Sequence, residues 1–312
     1  MLSYYSLCRN EKAFKQFTGI TVAEFERLYA DFEPVWVAAE QKRLQRPERK
    51  RAIGGGNNYK LGPKTQLLMV MVWLRLYLTT AAVGYLFGIS QSAVSRNTRR
   101  LLAVLREVSG EEFGWPDPPR KGEGRGMQEA AQAYPDLFAI VDATEQPVER
   151  PQDREQEKLH YSGKRHYPTC KTSLIVNEHG VIRAITDTSP GRTHDLTQIR
   201  QSGVLDDIPI HVGVVGDAGY IGLHNDLPNH SVATAHKAQR NHPLEQAHKD
   251  INRELSSMRV IIENVICQLK HFRILSDRFR HDVTKVHSDV FALIATLVNR
   301  RIKRRLALSN VC

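Results

Sequence analysis

The chain has 312 residues, enough for two domains or for one large domain with an appendage. Its 41% hydrophobic and 25% charged residues are ordinary for a globular protein. No basic N-terminal stretch leads into an apolar run with a cleavage site, and the longest apolar run, 67–78, contains Arg75 and is shorter than the ~20 residues of a membrane span. These features argue against a signal peptide and a membrane span, and we expect a soluble, cytoplasmic protein.

The cysteines bear on metal-binding and disulfide-rich classes of protein, and the distribution of charge bears on the type of partner. Four scattered cysteines form no CxxC pair, which argues against a zinc ribbon and a disulfide framework, and we expect reduced thiols. The net charge of +10 is uneven: residues 1–110 carry +9, residues 111–264 carry −6 and residues 265–312 carry +7. Basic ends indicate a polyanionic partner such as DNA. An acidic middle is unusual in such a protein unless its carboxylates hold metal cations against the phosphates.

Residues 1–50 are predicted to be helical, with Thr21 and Glu24 spaced as a capping box at one helix start. The basic run 42–51 stands before the glycine and asparagine tract 54–58. This run is either an arm that contacts DNA or a solvated helix face, and the pattern favours neither. Pro63 then begins an apolar helix that extends to about residue 78.

Residues 79–107 have the layout of a helix-turn-helix. A short helix is followed by Gly88, which permits a tight turn, and by Ser90, which is placed to cap a second helix. Ile89 and Val94 would pack between the two helices. In such a motif Gln91, Ser92, Ser95 and Arg96 would face base edges, while Arg99 and Arg100 would contact phosphates. The alternative is an ordinary pair of helices in a core, which the basic charge disfavours.

The middle of the chain predicts a linker and then an α/β domain. Glycine, proline and charged residues dominate 109–136, so we expect a helical DNA-binding domain over 1–108, a linker, and a second domain over 137–312. In that domain, a strand over 137–141 ends at Asp142 and a strand over 211–215 leads to Asp217. A hairpin over 172–186, a helix over 195–201, a strand over 231–235 and a long helix over 243–270 complete the pattern. This order is compatible with an RNase H-like α/β fold, which makes the chain a multidomain α+β protein.

Three carboxylates are candidates for catalysis. Asp142 and Asp217 follow apolar strands, where the active sites of α/β sheets lie, and Glu263 borders the apolar stripe of the long helix. Arg259 is placed by its i,i+4 spacing to pair with Glu263. Three carboxylates on rigid elements suit two Mg²⁺ or Mn²⁺ ions, which can activate a nucleophile and stabilise the leaving oxygen in phosphodiester cleavage. The alternative is that the aspartates merely begin loops and Glu263 forms a surface ion pair.

Five ordered motifs resemble those of DDE transposases of the bacterial insertion-sequence-five family and its eukaryotic Harbinger relatives. The motifs are VDATE at 141–145, YSGK at 161–164, PGRTHD at 190–195, GDAGY at 216–220 and a segment from 252 to 264 that ends in RVIIEN, and LKHFRIL at 269–275 continues the match. The resemblance covers roughly 137–300. It implies a metal-binding triad of Asp142, Asp217 and Glu263, binding of terminal inverted repeats and target DNA, and action as a homo-oligomer on DNA.

The resemblance also assigns supporting residues. His194 and Asp195 match a family motif, and Asp195 would either assist the metals or cap a helix. Lys164 and Arg165 fit a DNA-facing hairpin, although Pro168 departs from the family pattern and leaves its register open. Tyr220 and Arg259 would position DNA or orient carboxylates, and Lys270 would contact DNA. Two competing functions remain: a transposase-derived DNA-binding protein without catalysis, and an RNase H-like repair nuclease.

Overall fold

The computed structural model describes residues 1–45, 59–109, 113–115, 138–238 and 244–309. The chain forms two compact units, one of residues 1–111 with 270–277 and one of residues 112–269 with 278–312. Two domains were predicted, but the boundary is more complex because 270–277 belongs to the helical unit. Most of the predicted linker lies outside the described residues. Of its described residues, Ser109 belongs to the first unit and 113–115 belong to the second. There the Gly114 amide donates to the Arg183 carbonyl at 2.9 Å.

The first unit is helical, with caps that the sequence signals. Its helices are α1 (Tyr4–Leu7), α2 (Glu11–Thr18), α3 (Val22–Leu44), α4 (Pro63–Leu76), α5 (Thr80–Phe87) and α6 (Gln91–Ser109). The predicted capping box of Thr21 and Glu24 is present at the start of α3. Pro63 begins α4, as predicted, and its missing N–H needs no partner at the first helical position. Residues 46–58, which include most of the basic run, lie outside the described residues.

Helix α4 is the centre of the helical unit. Every residue from Thr65 to Leu74 is buried, and a helix that is apolar on all sides must be surrounded by other elements. Helices α1, α2, α3, α5 and α6 contact it, as does the short turn Arg273–Leu275. Phe272 and Ile274 of that segment are 1% and 0% exposed. The segment 270–277 is therefore held in this unit by burial of apolar side chains.

The second unit is built on a mixed sheet. Its strands are β1 (Phe138–Pro147), β2 (Tyr161–Ser162), β3 (Tyr167–Asn177), β4 (Ile182–Ile185), β5 (Ser189–Pro190), β6 (Gly213–Gly216) and β7 (Val232–Thr234). Its helices are α7 (Arg154–His160), α8 (Asp195–Ser202), α9 (Gln246–Lys270) and α10 (Ser288–Ser309). The predicted hairpin, short helix and long helix are thus confirmed. None of the helices in the described ranges is long and apolar enough to cross a membrane.

The sheet has the predicted RNase H-like arrangement. Strands β4, β3 and β1 are antiparallel neighbours, and β6 and β7 continue the sheet in parallel with β1. Helix α8 packs on one face through Leu196 and Ile199, in a core with Val141 and Val214. At the outer strand β4, the Asn299 amide of α10 exchanges two hydrogen bonds with the Ile182 backbone, at 2.7 and 2.8 Å. These bonds satisfy backbone groups that an edge strand would leave unpaired.

Candidate functional site

Two neighbouring strands bring Asp142 and Asp217 together. The parallel pairing of β1 and β6 ends at Val141 and Gly216, and each aspartate is the next residue in the chain. The prediction that Asp142 ends its strand was wrong, since β1 continues to Pro147 through antiparallel pairing with β3. Asp142 is instead placed where the parallel pairing stops. Both carboxylates therefore lie at one edge of the parallel part of the sheet.

Each aspartate uses one oxygen to fix its own backbone. Asp142 Oδ1 accepts from the Ala143 amide at 2.8 Å, and Asp217 Oδ1 accepts from the Gly219 amide at 2.7 Å. A side chain at position 219 would clash, because a Cβ there would lie 2.9 Å from Asp217 Oδ1 and 3.3 Å from Asp195 Oδ2. Gly219, the second glycine of the GDAGY motif, thus allows the carboxylates of Asp217 and Asp195 to lie close to the turn. The Oδ2 atoms of both catalytic candidates remain for another partner.

That partner is the guanidinium group of Arg259 on α9. Its Nη2 atom lies 3.3 Å from Asp142 Oδ2, 3.9 Å from Asp217 Oδ2 and 3.8 Å from Glu263 Oε1. The predicted pairing of Arg259 with Glu263 is therefore present, and it extends to both aspartates. Glu263 is more exposed than expected, at 57% of its side chain. One cation thus lies among three carboxylates from β1, β6 and α9.

Asp142 is the carboxylate of this cluster whose pKa is raised. Burial raises the pKa of its carboxyl above the usual range, and the negative charge of Asp217 acts in the same direction. The Ala143 amide and Arg259 oppose this effect without cancelling it. An ionised Asp142 is therefore costly in the protein alone and would gain from an additional positive charge.

The three carboxylates have the chemistry of a site for hard divalent cations, although they are not arranged around a metal. Within the described ranges, no group of three or more His, Cys, Asp or Glu side chains is spaced to hold a metal ion. The carboxylate oxygens instead share the Arg259 guanidinium. Oxygen donors fit Mg²⁺ or Mn²⁺ better than zinc. In this structure the positive group among these donors is the Arg259 side chain.

Lys171 is a buried residue beside this cluster that was not among the predicted site residues. Lys171 Nζ lies 2.7 Å from Asp195 Oδ1 and 3.6 Å from Glu145 Oε1, and it donates to the Thr193 carbonyl at 2.9 Å. Its side chain is 8% exposed. A lone lysine within the long apolar strand β3 was the available signal, because such a charge requires a buried partner. Asp195 does not cap α8, as one alternative had it: His194 is the N-cap residue and Asp195 begins the helix.

Tyr220 does not fit the predicted contact with DNA. The side chain is 0% exposed and packs in the core beneath α8. Burial raises the pKa of its hydroxyl well above the usual value, and the charges of Asp195, Asp142 and Asp217 add to that effect. The hydroxyl therefore stays protonated. Tyr220 packs beneath the turn that follows Asp217, and its buried position offers no path to DNA.

The helix-turn-helix is formed by α5 and α6, as predicted. Gly88 ends α5 with a φ of 66°, and the Ser90 hydroxyl accepts from the Ala93 amide at 3.2 Å. Gly84 allows the close turn, because a Cβ there would lie 2.7 Å from the Ile89 carbonyl oxygen. Val94 is fully buried between the helices. The exposed side of the first half of α6 carries Gln91, Ser92, Ser95, Arg96 and Arg99.

Arg100 is the exception among the residues predicted to contact DNA from α6. Its guanidinium lies 2.8 Å from Glu40, whose side chain is only 8% exposed, and donates to Gln66 at 2.9 Å. It also lies over the ring of Tyr59. Arg43 pairs with the same carboxylate at 2.8 Å. The assignment of Arg100 as a phosphate contact is corrected: the guanidinium neutralises a buried carboxylate and holds α6 to α3.

The remaining predicted DNA contacts lie on exposed or partly exposed positions. Lys164 and Arg165 are exposed on the turn between β2 and β3. The register left open by Pro168 is settled, since Pro168 pairs with Tyr161 in the antiparallel hairpin. Lys270 is the last residue of α9 and is half-buried.

Three cysteines, Cys8, Cys170 and Cys267, are free thiols, and Cys312 lies outside the described residues.

Comparison with known families assigns both parts of the chain to one superfamily. The family model for the DDE superfamily endonuclease matches residues 141–299. A model for the helix-turn-helix of DDE superfamily endonucleases matches residues 59–111. The helical unit with its helix-turn-helix and the RNase H-like unit with its carboxylates are thus those of a DNA-cutting enzyme. The chain belongs to the DDE superfamily of endonucleases, a superfamily whose members use divalent metal ions.

One curated relative extends the similarity to most of the chain. The chain is 29% identical over 271 residues to the probable transposase for insertion sequence element IS702 of Microchaete diplosiphon. The match covers 86% of this chain and 87% of the relative. No solved structure matches the chain.

Proposed function

We propose that this protein is a DNA transposase that binds the terminal inverted repeats of its insertion sequence, cleaves DNA and joins the ends to a target. The convergence of Asp142, Asp217 and Glu263 on Arg259 carries the proposal. One guanidinium offsets only part of the negative charge of three carboxylates, so the cluster favours the binding of further cations. The family of the chain and the named function of its relative support the same reading.

In this proposal the three carboxylates are the metal-binding and catalytic residues, for two Mg²⁺ or Mn²⁺ ions. When bound, such ions supply an activated hydroxyl nucleophile and a Lewis acid at the leaving oxygen. Asp142 and Asp217 would bind through their Oδ2 atoms, since their Oδ1 atoms accept backbone amides. Those amide bonds hold the carboxylates in place before substrate arrives. Arg259 would orient the carboxylates and partly neutralise them until cations and DNA phosphates replace those contacts.

Recognition of DNA is assigned to the helix-turn-helix. The exposed residues Gln91, Ser92, Ser95 and Arg96 would read base edges, and Arg99 would bind a phosphate. Lys164, Arg165 and Lys270 would make further contacts with DNA. We place the protein in the bacterial cytoplasm with the nucleoid, acting as a homo-oligomer on its DNA ends.

The decisive experiment is Mg²⁺-dependent nicking of a labelled duplex that carries the terminal repeat. Asp142→Ala, Asp217→Ala and Glu263→Gln should each abolish nicking while the variants still bind the duplex. Asp206→Asn is a matched control, because Asp206 is exposed and lies outside the carboxylate cluster. If Asp142→Ala cuts as well as the parent protein, the catalytic assignment is wrong.

The same assay distinguishes two other functions. A transposase-derived DNA-binding protein would bind the terminal repeat with full affinity and show no nicking at any Mg²⁺ concentration. A repair nuclease would cut according to DNA structure rather than sequence and would join no ends to a target duplex. Strand transfer of a precleaved end therefore separates a transposase from both.

A further inference from the structure

A surface cleft in the sheet unit has features that the proposed function does not use. Its volume is about 510 Å³, within the range of roughly 300–1,000 Å³ that is usual for small-ligand sites. It lies beside the hairpin of β2 and β3, at the far end of β1 from Asp142. Its walls include Pro147, Pro168, Tyr161, Tyr167, His166 and Arg278.

Two partly exposed tyrosines dominate this cleft. Tyr161 is 43% exposed and Tyr167 is 41% exposed, although both are large side chains. Pro147 and Pro168 add rigid apolar surface beside them. Aromatic rings on the walls of an open cleft provide flat faces on which nucleobases stack, and such stacking is independent of sequence.

The charge of the cleft suits a phosphate backbone. Arg278 lines it, is exposed, and has no ion-pair partner within the described part of the chain. Arg150 also lines it, but its guanidinium is neutralised by Glu157 at 2.5 Å. Lys164 and Arg165 project from the adjoining turn. The cleft thus combines stacking surfaces with neighbouring positive charge, which is the combination that binds single-stranded nucleic acid.

The turn that borders the cleft is held in an unusual conformation. His166 has a φ of 61°, a left-handed backbone that non-glycine residues seldom adopt. Its amide donates to the Ser162 carbonyl at 2.8 Å, and the Arg165 amide donates to the Ser162 hydroxyl at 3.3 Å. Ser162 is buried and donates in turn to Glu145 at 2.8 Å. These bonds keep the turn in a defined shape before any ligand binds, which lowers the entropy cost of binding.

We propose that this cleft binds an unpaired nucleobase of the DNA strand whose cleavage site lies at the carboxylates, stacked on Tyr161 and Tyr167. The inference rests on the proposed function, because it takes DNA as the substrate. Pro147 is five residues along β1 from Asp142, which at about 3.3 Å per residue is roughly 17 Å. That distance corresponds to roughly five stacked nucleotides at about 3.4 Å each. The bound base would fix the register of the strand relative to the carboxylates.

The test measures binding of a short single-stranded oligonucleotide to the full chain in EDTA, where no cleavage occurs. Tyr161→Ala and Tyr167→Ala should each weaken binding about tenfold, as expected for the loss of one base–aromatic stack worth ~1–3 kcal/mol. Tyr161→Phe and Tyr167→Phe keep the ring and should bind like the parent. Tyr5→Ala is a matched control, because Tyr5 is 68% exposed in the helical unit.

An abasic oligonucleotide of the same length separates stacking from charge. It carries the same phosphates, so equal binding of the abasic and the intact strand by the parent would overturn the proposal. Equal binding by the alanine variants and the parent would overturn it as well. If an alanine variant fails to fold, photocrosslinking of a 5-iododeoxyuridine strand to the parent decides: the crosslinked peptide must contain Tyr161 or Tyr167.

The failure of this proposal is distinguishable from failure of the proposed function. The binding assay contains no metal and scores no cleavage, whereas the proposed function is tested by nicking that depends on Asp142. A parent that nicks the duplex but discriminates no base in the cleft would refute only the cleft. A parent that binds the unpaired base but never nicks DNA would refute only the transposase.

Discussion

Lys171 Nζ lies 2.7 Å from Asp195 Oδ1 and so links the central strand β3 to the start of helix α8. Asp195 Oδ2 in turn lies close to Gly219, within the loop that follows Asp217. The position of one candidate metal ligand is thereby connected to a buried ion pair. The sequence left the role of Asp195 open between assisting the metals and capping a helix. From its pairing with Lys171 we infer that Asp195 helps to position the loop that follows Asp217.

Removal of either partner from this pair should destabilise the protein. Lys171→Met leaves Asp195 and Glu145 without their buried cation, so we expect a loss of ~3 kcal/mol in the free energy of unfolding. Asp195→Asn should cost less, about 1–2 kcal/mol, because Asp195 is 30% exposed. Urea denaturation measures both. Lys158→Met is the matched control, since its pair with Glu155 is exposed at 64% and 76% and should contribute under ~1 kcal/mol. A loss in the control as large as in Lys171→Met would contradict the prediction.

Arg259→Gln should make the protein more dependent on divalent cations. Without the guanidinium, the three carboxylates repel one another. In EDTA we therefore expect the variant to unfold at a lower temperature than the parent. The corresponding loss in the free energy of unfolding should be about 1 kcal/mol. Added Mg²⁺ should then raise the Tm of the variant more than that of the parent, because it binds only the folded state. Thermal unfolding with and without Mg²⁺ gives the comparison. Arg253→Gln, on the same helix and 81% exposed, is the control. An equal Mg²⁺ effect in Arg259→Gln and the parent would show that Arg259 does not occupy the cation position.

Arg99 and Arg100 are neighbours in sequence and should behave differently. Arg99→Gln should weaken binding to all duplexes alike and lower the slope of log affinity against log salt by about 0.9, the value for one phosphate contact. Arg100→Gln should leave that slope unchanged and lower stability by on the order of 2 kcal/mol, since it leaves Glu40 buried with less charge compensation. Binding titrations at several salt concentrations and urea denaturation separate the two. A lower salt slope in folded Arg100→Gln protein would show that Arg100 contacts a DNA phosphate.

His287 should make the sheet unit sensitive to acid. Burial lowers the pKa of its imidazole from 6.5 to about 4, while its two nitrogens meet Thr188 at 2.7 Å and Gln146 at 2.8 Å. A lowered pKa favours the neutral form, so the stabilisation is complete above pH 6.5 and is lost as pH falls towards 4. Relative to pH 7, the parent should lose about 2 kcal/mol at pH 5 from this group.

The variant His287→Gln isolates this effect. It keeps a polar side chain that does not titrate, so its stability should fall less between pH 7 and pH 5 than that of the parent. Urea denaturation at the two pH values measures the difference. His179→Gln serves as the control, because the side chain of His179 is 45% exposed. Parallel losses in the parent and in His287→Gln would show that other groups cause the acid sensitivity.

Local signals in the sequence predicted the helix-turn-helix and most strands. Gly88 and Ser90 meet backbone requirements at the turn, and these depend on neighbours only a few residues away. The length of β1 was underestimated for the opposite reason. Residues after Asp142 are held in the strand by β3, a partner about thirty residues later in the chain, so their own pattern carries no strong strand signal.

The sequence by itself determined which residues are candidates for the chemistry: the motifs around Asp142, Asp217 and Glu263, and the polar and basic positions on the second helix of the helix-turn-helix. Tertiary structure decided which side chains meet. It brought Arg259 to all three carboxylates, gave Lys171 its two acidic partners, turned Arg100 towards Glu40 and buried Tyr220. The physical reason is that residue type and local spacing set chemical capacity and helix or strand preference. Burial and charge pairing depend on elements distant in sequence, and only the folded chain brings those together.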